Sequence, residues 1–212
     1  KNLYCSSLRG LSPSLFTLLL SPRAGSAGPN EIKLSMAPKP IAREKIAGQG
    51  RQFRAEQGLH KEPVWAVLIG GDGAGYRYTR AAMEQLVEGL LAQAERNHAR
   101  VLLSTSRRTG LAHEQTLKAC LTKHPAVAYA TYYNHAPEKV VAKFLGAADL
   151  VFCTADSASM ITEAMTAGKP VYVLAPERSR PPSSHQAYLQ KHVEARHIRL
   201  LPIPALPALA VQ

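Results

Sequence analysis

Two segments combine small and polar residues directly after short apolar runs. In the first, residues 64–69 lead into the sequence GGDGAG over residues 70–75. Glycines at such a turn let backbone N–H groups approach an anion closely, and a helix that follows adds the positive end of its dipole. Gly70 and Gly71 are therefore candidate phosphate ligands. Glycine is also common at such turns for backbone conformation alone, so a purely structural interpretation stands beside this one.

The second segment, residues 154–174, reads TADSASMITEAMTAGKPVYVL. Asp156 or Ser157 is positioned to cap a predicted helix. Ser159 and Glu163 are four residues apart and share one helix face. Hydroxyls at the positive helix end, with a carboxylate one turn farther on, suit a phosphate followed by a ribose. The structural alternative is a capped helix with one solvated glutamate. The opposite, apolar face is predicted to contain Met160, Ile161, Ala164 and Met165.

Polar residues also follow two other apolar runs. Arg107 and Arg108 come after residues 101–104, and either guanidinium could donate a fork of hydrogen bonds to a diphosphate. A solvent-exposed turn, in which the two arginines bind no ligand, explains the pair equally well. After residues 127–130 the chain reads Tyr132, Tyr133, Asn134 and His135. Base stacking or polar specificity is one hypothesis for this segment, and a plain loop is the favoured one.

The elements that must position these residues alternate regularly after Pro63. Short apolar runs and longer amphipathic runs follow one another, which predicts repeated β-α units and a doubly wound parallel α/β sheet. With the common strand order 3-2-1-4-5-6, the turns after strands one and four flank one crevice, where nucleotides bind in such folds. Six strands are predicted, at residues 64–69, 101–104, 127–130, 150–154, 171–174 and 198–201. Helices are predicted at residues 79–97, 113–121, 137–145, 157–167 and 184–195.

The pattern divides the chain into three parts. We expect residues 1–63 to be a remnant of a preceding domain plus a connector helix near residues 41–57, which Gly48 and Gly50 weaken. Residues 1–30 also have a composition compatible with a transit or signal segment. Residues 64–201 are predicted to form the Rossmann-like domain. The tail, residues 202–212, is rich in proline and is expected to be an extended surface segment.

Composition argues against several other functions. The net charge is +11, yet residues 64–174 are nearly balanced and carry no RNA-binding or zinc-finger pattern, so no nucleic-acid partner is expected. Three cysteines without a CxxC pair argue against a disulfide framework. No apolar run is long enough for a transmembrane segment. We predict no metal and no cofactor, because no metalloprotease, Walker or GxGxxG pattern is present. His192 and His197 are expected to be packing or surface residues.

Three strings carry a resemblance to a known family: LIGGDGAGY (68–76), LLSTSRRTG (102–110) and the segment 154–174. Over about half the chain they resemble the hallmark segments of the elongated-mitochondria fission-protein family. More distantly, the glycine loop and the Ser-to-Glu helix are similar to the donor domain of MurG-type glycosyltransferases with two Rossmann domains (GT-B). The resemblance implies a C-terminal domain that binds a nucleotide sugar, with Gly70 and Gly71 on phosphates, Ser157 and Ser159 beside the diphosphate, and Glu163 on the ribose.

Three departures limit what the resemblance implies. Asp72 stands where the MurG type has serine, and the usual Asn-Pro-aromatic element reads Asn134, His135, Ala136, Pro137 here. Most of an acceptor-type domain is also missing, so the catalytic residues stay unknown. We therefore expect binding of a nucleoside diphosphate or nucleotide sugar, as in a metal-independent glycosyltransferase if the protein is an enzyme. The location expected is cytoplasmic.

The alternative is a scaffold without enzymatic activity that recruits a dynamin-like fission partner. The location would then be the mitochondrial surface in a eukaryote. The basic flanks would contact a protein partner or, peripherally, an acidic membrane.

Overall fold

A computed structural model describes residues 1–5, 8, 10–21, 28–39 and 41–211. The chain forms two compact units, Lys1–Pro40 and Ile41–Gln212. Residues 22–27, part of the segment whose composition is compatible with a leader, lie outside the described residues. None of the helices in the described part of the chain combines the length and hydropathy that a bilayer-spanning helix needs.

The first unit contains a small parallel sheet. Its strands are β1 (Leu3–Cys5), β2 (Leu18–Ser21) and β3 (Glu31–Lys33), hydrogen-bonded in the order β1-β2-β3. A 3₁₀ turn at Pro13–Leu15 lies between β1 and β2, with Ser12 accepting a hydrogen bond from the Ser14 N–H. Sequence reasoning assigned no strand here, because strands of three or four residues are too short to show a periodic pattern.

The second unit is a doubly wound α/β sheet, as predicted. Its strands are all parallel and lie in the order β6-β5-β4-β7-β8-β9, the 3-2-1-4-5-6 arrangement. The strands are β4 (Val64–Ile69), β5 (Arg100–Thr105), β6 (Val127–Thr131), β7 (Leu150–Thr154), β8 (Val171–Ala175) and β9 (Arg199–Pro202). The helices are α1 (Arg43–Glu56), α2 (Arg80–Arg96), α3 (Gly110–Leu121), α4 (Val141–Ala147), α5 (Ala158–Thr166) and α6 (Ser183–Glu194).

The core lies along the central strands. Every residue of β4 and β7 is buried, as expected for parallel strands covered on both faces by helices. Aromatic rings cross the sheet, with Trp65 and Phe152 centroids 5.3 Å apart and Phe152 and Tyr172 also 5.3 Å apart. Helix α2 packs its apolar stripe inward, and six residues that recur at helical spacing along it are buried: Met83, Leu86, Val87, Leu90, Leu91 and Ala94.

The weakness expected at Gly50 is instead the contact that docks helix α1. A Cβ on Gly50 would lie 2.0 Å from the Gly146 carbonyl carbon, and a Cβ on Gly146 would lie 1.8 Å from the Ile46 carbonyl oxygen. The two backbones therefore cross where both helices lack side chains. Helix α1 belongs to the second unit for this reason, and the close contact compensates for the low helix propensity of glycine.

The expectation of an extended surface tail is wrong. Residues Ile203–Ala208 form a 3₁₀ helix in which Ile203 and Leu206 are buried. The Gln93 side chain donates hydrogen bonds to the carbonyl oxygens of Leu206 and Pro207, at 2.7 and 3.1 Å. Gly89 leaves room on α2, since a Cβ there would lie 2.9 Å from the Leu206 Cβ. Proline at the fixed φ of about −65° suits such a turn.

Candidate functional site

The turn after β4 is held so tightly that its first two residues must be glycine. A Cβ on Gly70 would lie 2.2 and 2.3 Å from the Asp156 carboxylate oxygens, and one on Gly71 would lie 1.9 Å from the Arg108 carbonyl oxygen. The Gly70 N–H donates to Thr154 Oγ1 at 2.7 Å, and the Thr109 hydroxyl donates to the Gly70 carbonyl at 2.6 Å. Packing inside the protein thus requires both glycines, whether or not an anion binds.

A short hairpin separates this turn from α2. Gly73 and Tyr76 exchange two backbone hydrogen bonds, and Asp72 Oδ1 accepts from the Tyr78 N–H at 2.8 Å. The Asp72 carboxylate, unfavourable beside a diphosphate, is thereby engaged with its own loop. Helix α2 begins only at Arg80, with Thr79 as its N-cap, so the helix does not follow the glycines directly.

Of the two candidate caps of α5, Ser157 is the one that caps. Its hydroxyl accepts from the Met160 N–H at 3.4 Å, whereas the buried Asp156 carboxylate lies against Gly70 and pairs with Arg108. Ser159 is exposed and Glu163 is half-buried. Met160 corrects the predicted apolar face, because it is only half-buried and lines a cavity. The buried face of α5 contains Ile161, Thr162, Ala164 and Met165.

Two neighbouring cavities bring most of the predicted residues together at the carboxyl edge of the sheet. The smaller, about 340 Å³, is lined by Gly70, Ser106, Arg107, Arg108, Ser157, Ser159 and Met160. The larger, about 480 Å³, shares five of these residues: Ser106, Arg107, Ser157, Ser159 and Met160. The lining of the larger cavity also includes Glu163, Tyr133, Glu138 and Lys139. Both arginines thus face the crevice predicted from the topology, and Gly71 supports it through its contact with Arg108.

Sequence reasoning missed an ion pair between a buried aspartate, Asp156, and Arg108, a partly exposed residue that lines the smaller cavity. The Asp156 side chain is fully buried, and its Oδ2 lies 2.8 Å from Arg108 Nη2. The Thr154 hydroxyl donates to Asp156 Oδ1 at 2.7 Å. Burial raises the pKa of Asp156, against the opposing effects of the Thr154 hydrogen bond and the Arg108 charge. A carboxylate two residues after a buried strand was the available signal, but its partner is 48 positions away by residue number.

Tyr78 joins the ends of two strands near this pair. Its hydroxyl donates to the Leu174 carbonyl at 3.1 Å and accepts from the Ala155 N–H at 3.0 Å. The pKa of Tyr78 is raised, mainly by burial and then by the Asp156 charge, so the phenol stays protonated. His185 Nε2 lies 2.8 Å from the Ala155 carbonyl oxygen. These contacts fix the chain that leads from β7 into Asp156.

The loop after β6 is held by a second buried carboxylate, Glu114 of α3. Glu114 accepts hydrogen bonds from the Thr105 hydroxyl at 2.5 Å and from the backbone and side-chain amides of Asn134 at 3.0 to 3.1 Å. The Tyr133 N–H donates to Thr105 Oγ1 at 2.8 Å. The amide groups of Asn134 are therefore engaged in hydrogen bonds within the protein. Within the segment 132–135, Tyr133 is the residue that lines the larger cavity.

The histidines form no metal centre in the described residues, where no group of three or more His, Cys, Asp or Glu side chains could hold an ion. His192 is fully buried, and its Nδ1 lies 3.1 Å from His197 Nδ1. The His192 ring packs edge-on against Tyr188 with centroids 4.7 Å apart. Burial lowers the pKa of His192, followed by the effect of the His197 charge. His192 is thus a packing residue.

The chain matches a known family over most of its length. The sequence model of the family described as mitochondrial fission ELM1 matches residues 11–201. No curated protein sequence shows significant similarity to the chain.

Several solved structures share the fold. A family 9 glycosyl transferase from Veillonella parvula aligns with 13% identity and a TM-score of 0.52, over 79% of this chain and 43% of that one. A protein from Listeria monocytogenes named as a UDP-N-acetylglucosamine 2-epimerase aligns with 15% identity and a TM-score of 0.60, over 92% and 50%. WaaG, a glycosyltransferase involved in lipopolysaccharide biosynthesis, aligns with 16% identity and a TM-score of 0.52, over 97% and 51%.

At these identities the likeness concerns the fold, which is that of GT-B glycosyltransferases. The chain spans about half the length of these structures.

Proposed function

Because the chain belongs to the mitochondrial fission ELM1 family and has a glycosyltransferase-like fold, we propose that its second unit binds a nucleoside diphosphate or nucleotide sugar. The observation that carries this proposal is the convergence of Gly70, Arg107, Arg108, Ser157 and Ser159 around one cavity of about 340 Å³. These residues come from three separate turns at the carboxyl edge of a doubly wound sheet, where such folds bind nucleotides.

The chemistry of the smaller cavity suits a diphosphate. Arg107 and Arg108 supply guanidinium forks, which bind phosphate oxygens in pairs of charge-assisted hydrogen bonds. Ser157 and Ser159 add hydroxyls at the start of α5, where the helix dipole favours an anion. These groups would neutralise a leaving diphosphate without a metal ion. Gly70 and Gly71 would let the backbone of the turn come close to the ligand.

The larger cavity suits the nucleoside. Glu163 lies one turn after Ser159 on α5, and its carboxylate would accept hydrogen bonds from ribose hydroxyls. Beyond it the lining includes Tyr133, Val141 and Ala142, which offer an aromatic ring and apolar surface to a base. The two cavities share Arg107, Ser157 and Ser159, so a single ligand would extend through both.

Binding is tested by thermal unfolding and calorimetry with UDP, ADP and inorganic pyrophosphate. At a hundred times its dissociation constant a ligand adds about 2.7 kcal/mol to the free energy of unfolding, which raises the Tm of a chain this long by roughly 5–10 °C. The double variant Arg107→Ala/Arg108→Ala should abolish the shift. The exposed Arg51 on α1 provides the matched control, because Arg51→Ala loses a like charge away from the cavities. Absence of any shift at millimolar ligand would refute the proposal.

For this chain we propose donor binding without sugar transfer. Transfer requires an acceptor held in line with the sugar carbon, and such positioning is worth about 7–11 kcal/mol. The second unit supplies one complete doubly wound sheet, whereas GT-B enzymes use two. Nucleotide release measured with UDP-sugars and candidate acceptors is expected to show no sustained turnover. Acceptor-dependent turnover by this chain would contradict the donor-only proposal.

A scaffold function is the second candidate, and the description of the family as a mitochondrial fission family is what favours it. In that case the chain would recruit a dynamin-like partner at the mitochondrial surface. The two cavities would then be the remnant of a nucleotide site. The first candidate implies a cytoplasmic enzyme domain. Capture of a purified dynamin-like protein, together with no response to nucleotides, would favour the scaffold.

A further inference from the structure

Asp156 is one of the buried acids at the carboxyl edge of the sheet. Its side chain has no exposed surface, and the backbone of Gly70 packs directly against its carboxylate. Both Asp156 Oδ1 and the Gly70 N–H are bound to the Thr154 hydroxyl oxygen, at 2.7 Å each. Thr154, itself held by the Gly70 N–H, thereby holds one carboxylate oxygen, and the other oxygen, Oδ2, faces Arg108.

The ion pair between Asp156 and Arg108 joins the protein interior to the smaller cavity. Arg108 Nη2 lies 2.8 Å from the buried Oδ2, whereas 42% of the Arg108 side chain remains exposed. Nη1 lies against Gly73, where a Cβ would come within 2.8 Å of it. The guanidinium is therefore held between Asp156 and the hairpin that Gly73 and Tyr76 close. Within the described part of the chain Oδ2 forms no well-aligned hydrogen bond, so the contact is chiefly one of charge.

This arrangement leaves donors of Arg108 available. A guanidinium has five N–H groups in a rigid plane, and the contact with Asp156 uses one edge of that plane. A guanidinium that is already oriented loses less conformational freedom when it binds phosphate than a solvated one does. Arg107 has the same chemistry and also lines the cavity, but among the described residues it is not paired with a buried acid.

We propose that Asp156 is a positioning residue that holds Arg108 in the orientation required to bind a phosphate group in the smaller cavity. The inference deepens the proposed nucleotide-binding function and rests on it. Asp156 itself would not touch the ligand. Its negative charge lies close to the proposed anion and repels it, so Coulomb repulsion alone predicts that removal of the charge strengthens anion binding. If Asp156 positions Arg108, removal of the charge should instead weaken anion binding. The direction of the change in affinity therefore distinguishes the two explanations.

The central experiment is a double-mutant cycle with Asp156→Asn and Arg108→Ala, with UDP and pyrophosphate affinity measured by calorimetry. Asparagine preserves the shape of the side chain and can still accept from Thr154. We expect Asp156→Asn to weaken both ligands about tenfold, a factor that corresponds to about 1.4 kcal/mol. We expect no further loss from Asp156→Asn when Arg108 is already alanine. Unchanged or tighter binding, or an equal loss in the Arg108→Ala background, would overturn the proposal.

Asp149 supplies the matched control, because it also pairs with an arginine (Arg54) but carries 53% side-chain exposure and lines neither cavity. Asp149→Asn is expected to leave both affinities unchanged. If Asp156→Asn does not fold, Thr154→Val removes the hydroxyl that fixes the carboxylate while the charge stays. We expect this variant to weaken UDP severalfold and Thr154→Ser to restore the affinity. Equal affinity of Thr154→Val and the wild type would count against positioning.

A readout without nucleotide separates this inference from the proposed function. Phenylglyoxal modifies accessible guanidinium groups, and peptide mass spectrometry resolves Arg107 from Arg108. Positioning predicts that Arg108 reacts more slowly than Arg107 in the ligand-free chain and that Asp156→Asn removes the difference. Equal rates in both proteins would overturn the inference even if UDP binds. If the wild type binds neither UDP nor pyrophosphate, the proposed function fails and takes with it the role of Arg108 as a phosphate ligand.

Discussion

Two buried carboxylates lie at the carboxyl edge of the sheet, and the protein stabilises them differently. Glu114, fully buried, is surrounded by neutral donors from Thr105 and Asn134. Asp156, equally buried, accepts from the Thr154 hydroxyl and has a charged partner, Arg108, that lines a cavity. A carboxylate satisfied by neutral groups inside the protein stabilises a loop. A carboxylate paired with a cavity-lining arginine can also influence a ligand. The difference predicts that Glu114 controls stability and that Asp156 controls affinity.

The largest expected effect is the loss of stability in Glu114→Ala. The substitution leaves the Thr105 hydroxyl and two Asn134 amide donors without their acceptor, at a cost of about 3 kcal/mol, or roughly 6–12 °C in Tm. Urea unfolding at pH 7 measures the change. Glu88→Ala, an exposed glutamate on α2, is the control and should change the free energy of unfolding by less than about 0.5 kcal/mol. Equal stability of the two variants would remove the structural role of Glu114.

Gly70→Ala tests the packing around Asp156 and should have the next largest effect. The new Cβ would lie 2.2 Å from a carboxylate oxygen, so the turn or Asp156 must move. Overpacking of this kind costs about 1–3 kcal/mol. At Gly48 of α1 the nearest atom to an added Cβ would be 4.0 Å away, so Gly48→Ala should instead stabilise the chain by about 0.5–1 kcal/mol. Thermal unfolding of the two variants should therefore shift in opposite directions.

A third carboxylate, Glu163, extends the comparison because it is half-buried and lines the larger cavity. If it binds ribose, Glu163→Ala should weaken UDP by about 1.5–3 kcal/mol and leave pyrophosphate binding nearly unchanged. Asp156→Asn, in contrast, should weaken both ligands. Calorimetry with the two ligands distinguishes these patterns. Equal losses for UDP and pyrophosphate in Glu163→Ala would withdraw the ribose assignment.

Much of the second unit was predictable because its central strands are unbroken apolar runs. Strands β4 and β7 have the predicted bounds, since every residue in them is buried and the run stops at a polar or glycine residue. The apolar stripe of α2 was equally clear, because helical spacing places it on one face. The tail was mispredicted, because its burial depends on Gly89 and Gln93 of a distant helix.

The turns that form the candidate site were predictable from the sequence, but the residue pairs within it were not. Topology brings Gly70, Arg107, Arg108, Ser157 and Ser159 to one cavity, which the order of strands and turns already indicated. Their roles toward a ligand stay predictions. The partners of Asp156 and Glu114 could not be inferred, because spacing along the chain indicates which face a residue occupies but not which distant residue lies opposite. Asp156 was therefore assigned only as a possible cap.

The smallest expected effect is the dependence of stability on pH, and it tests the electrostatics of Asp156 directly. Burial raises its pKa, and the hydrogen bond from Thr154 and the charge of Arg108 only partly oppose this. A raised pKa means that the native state holds a proton where the unfolded chain has lost it. The stability that this group contributes is therefore fully present below the ordinary aspartate pKa, about pH 4, and is lost as pH rises through the native pKa.

Asparagine at position 156 does not titrate, so Asp156→Asn should gain stability relative to the wild type as pH rises from about 4. Urea unfolding of both proteins between pH 3.5 and 7, with Glu88→Gln as a reference for the loss of an exposed carboxylate, measures this difference. A relative loss of stability with rising pH would mean that Arg108 overcompensates the burial of Asp156. Arg108 would then be held chiefly by charge in the native state, and the contrast with Glu114 would be stronger still. No pH dependence would mean that the burial of Asp156 and its pairing with Arg108 balance.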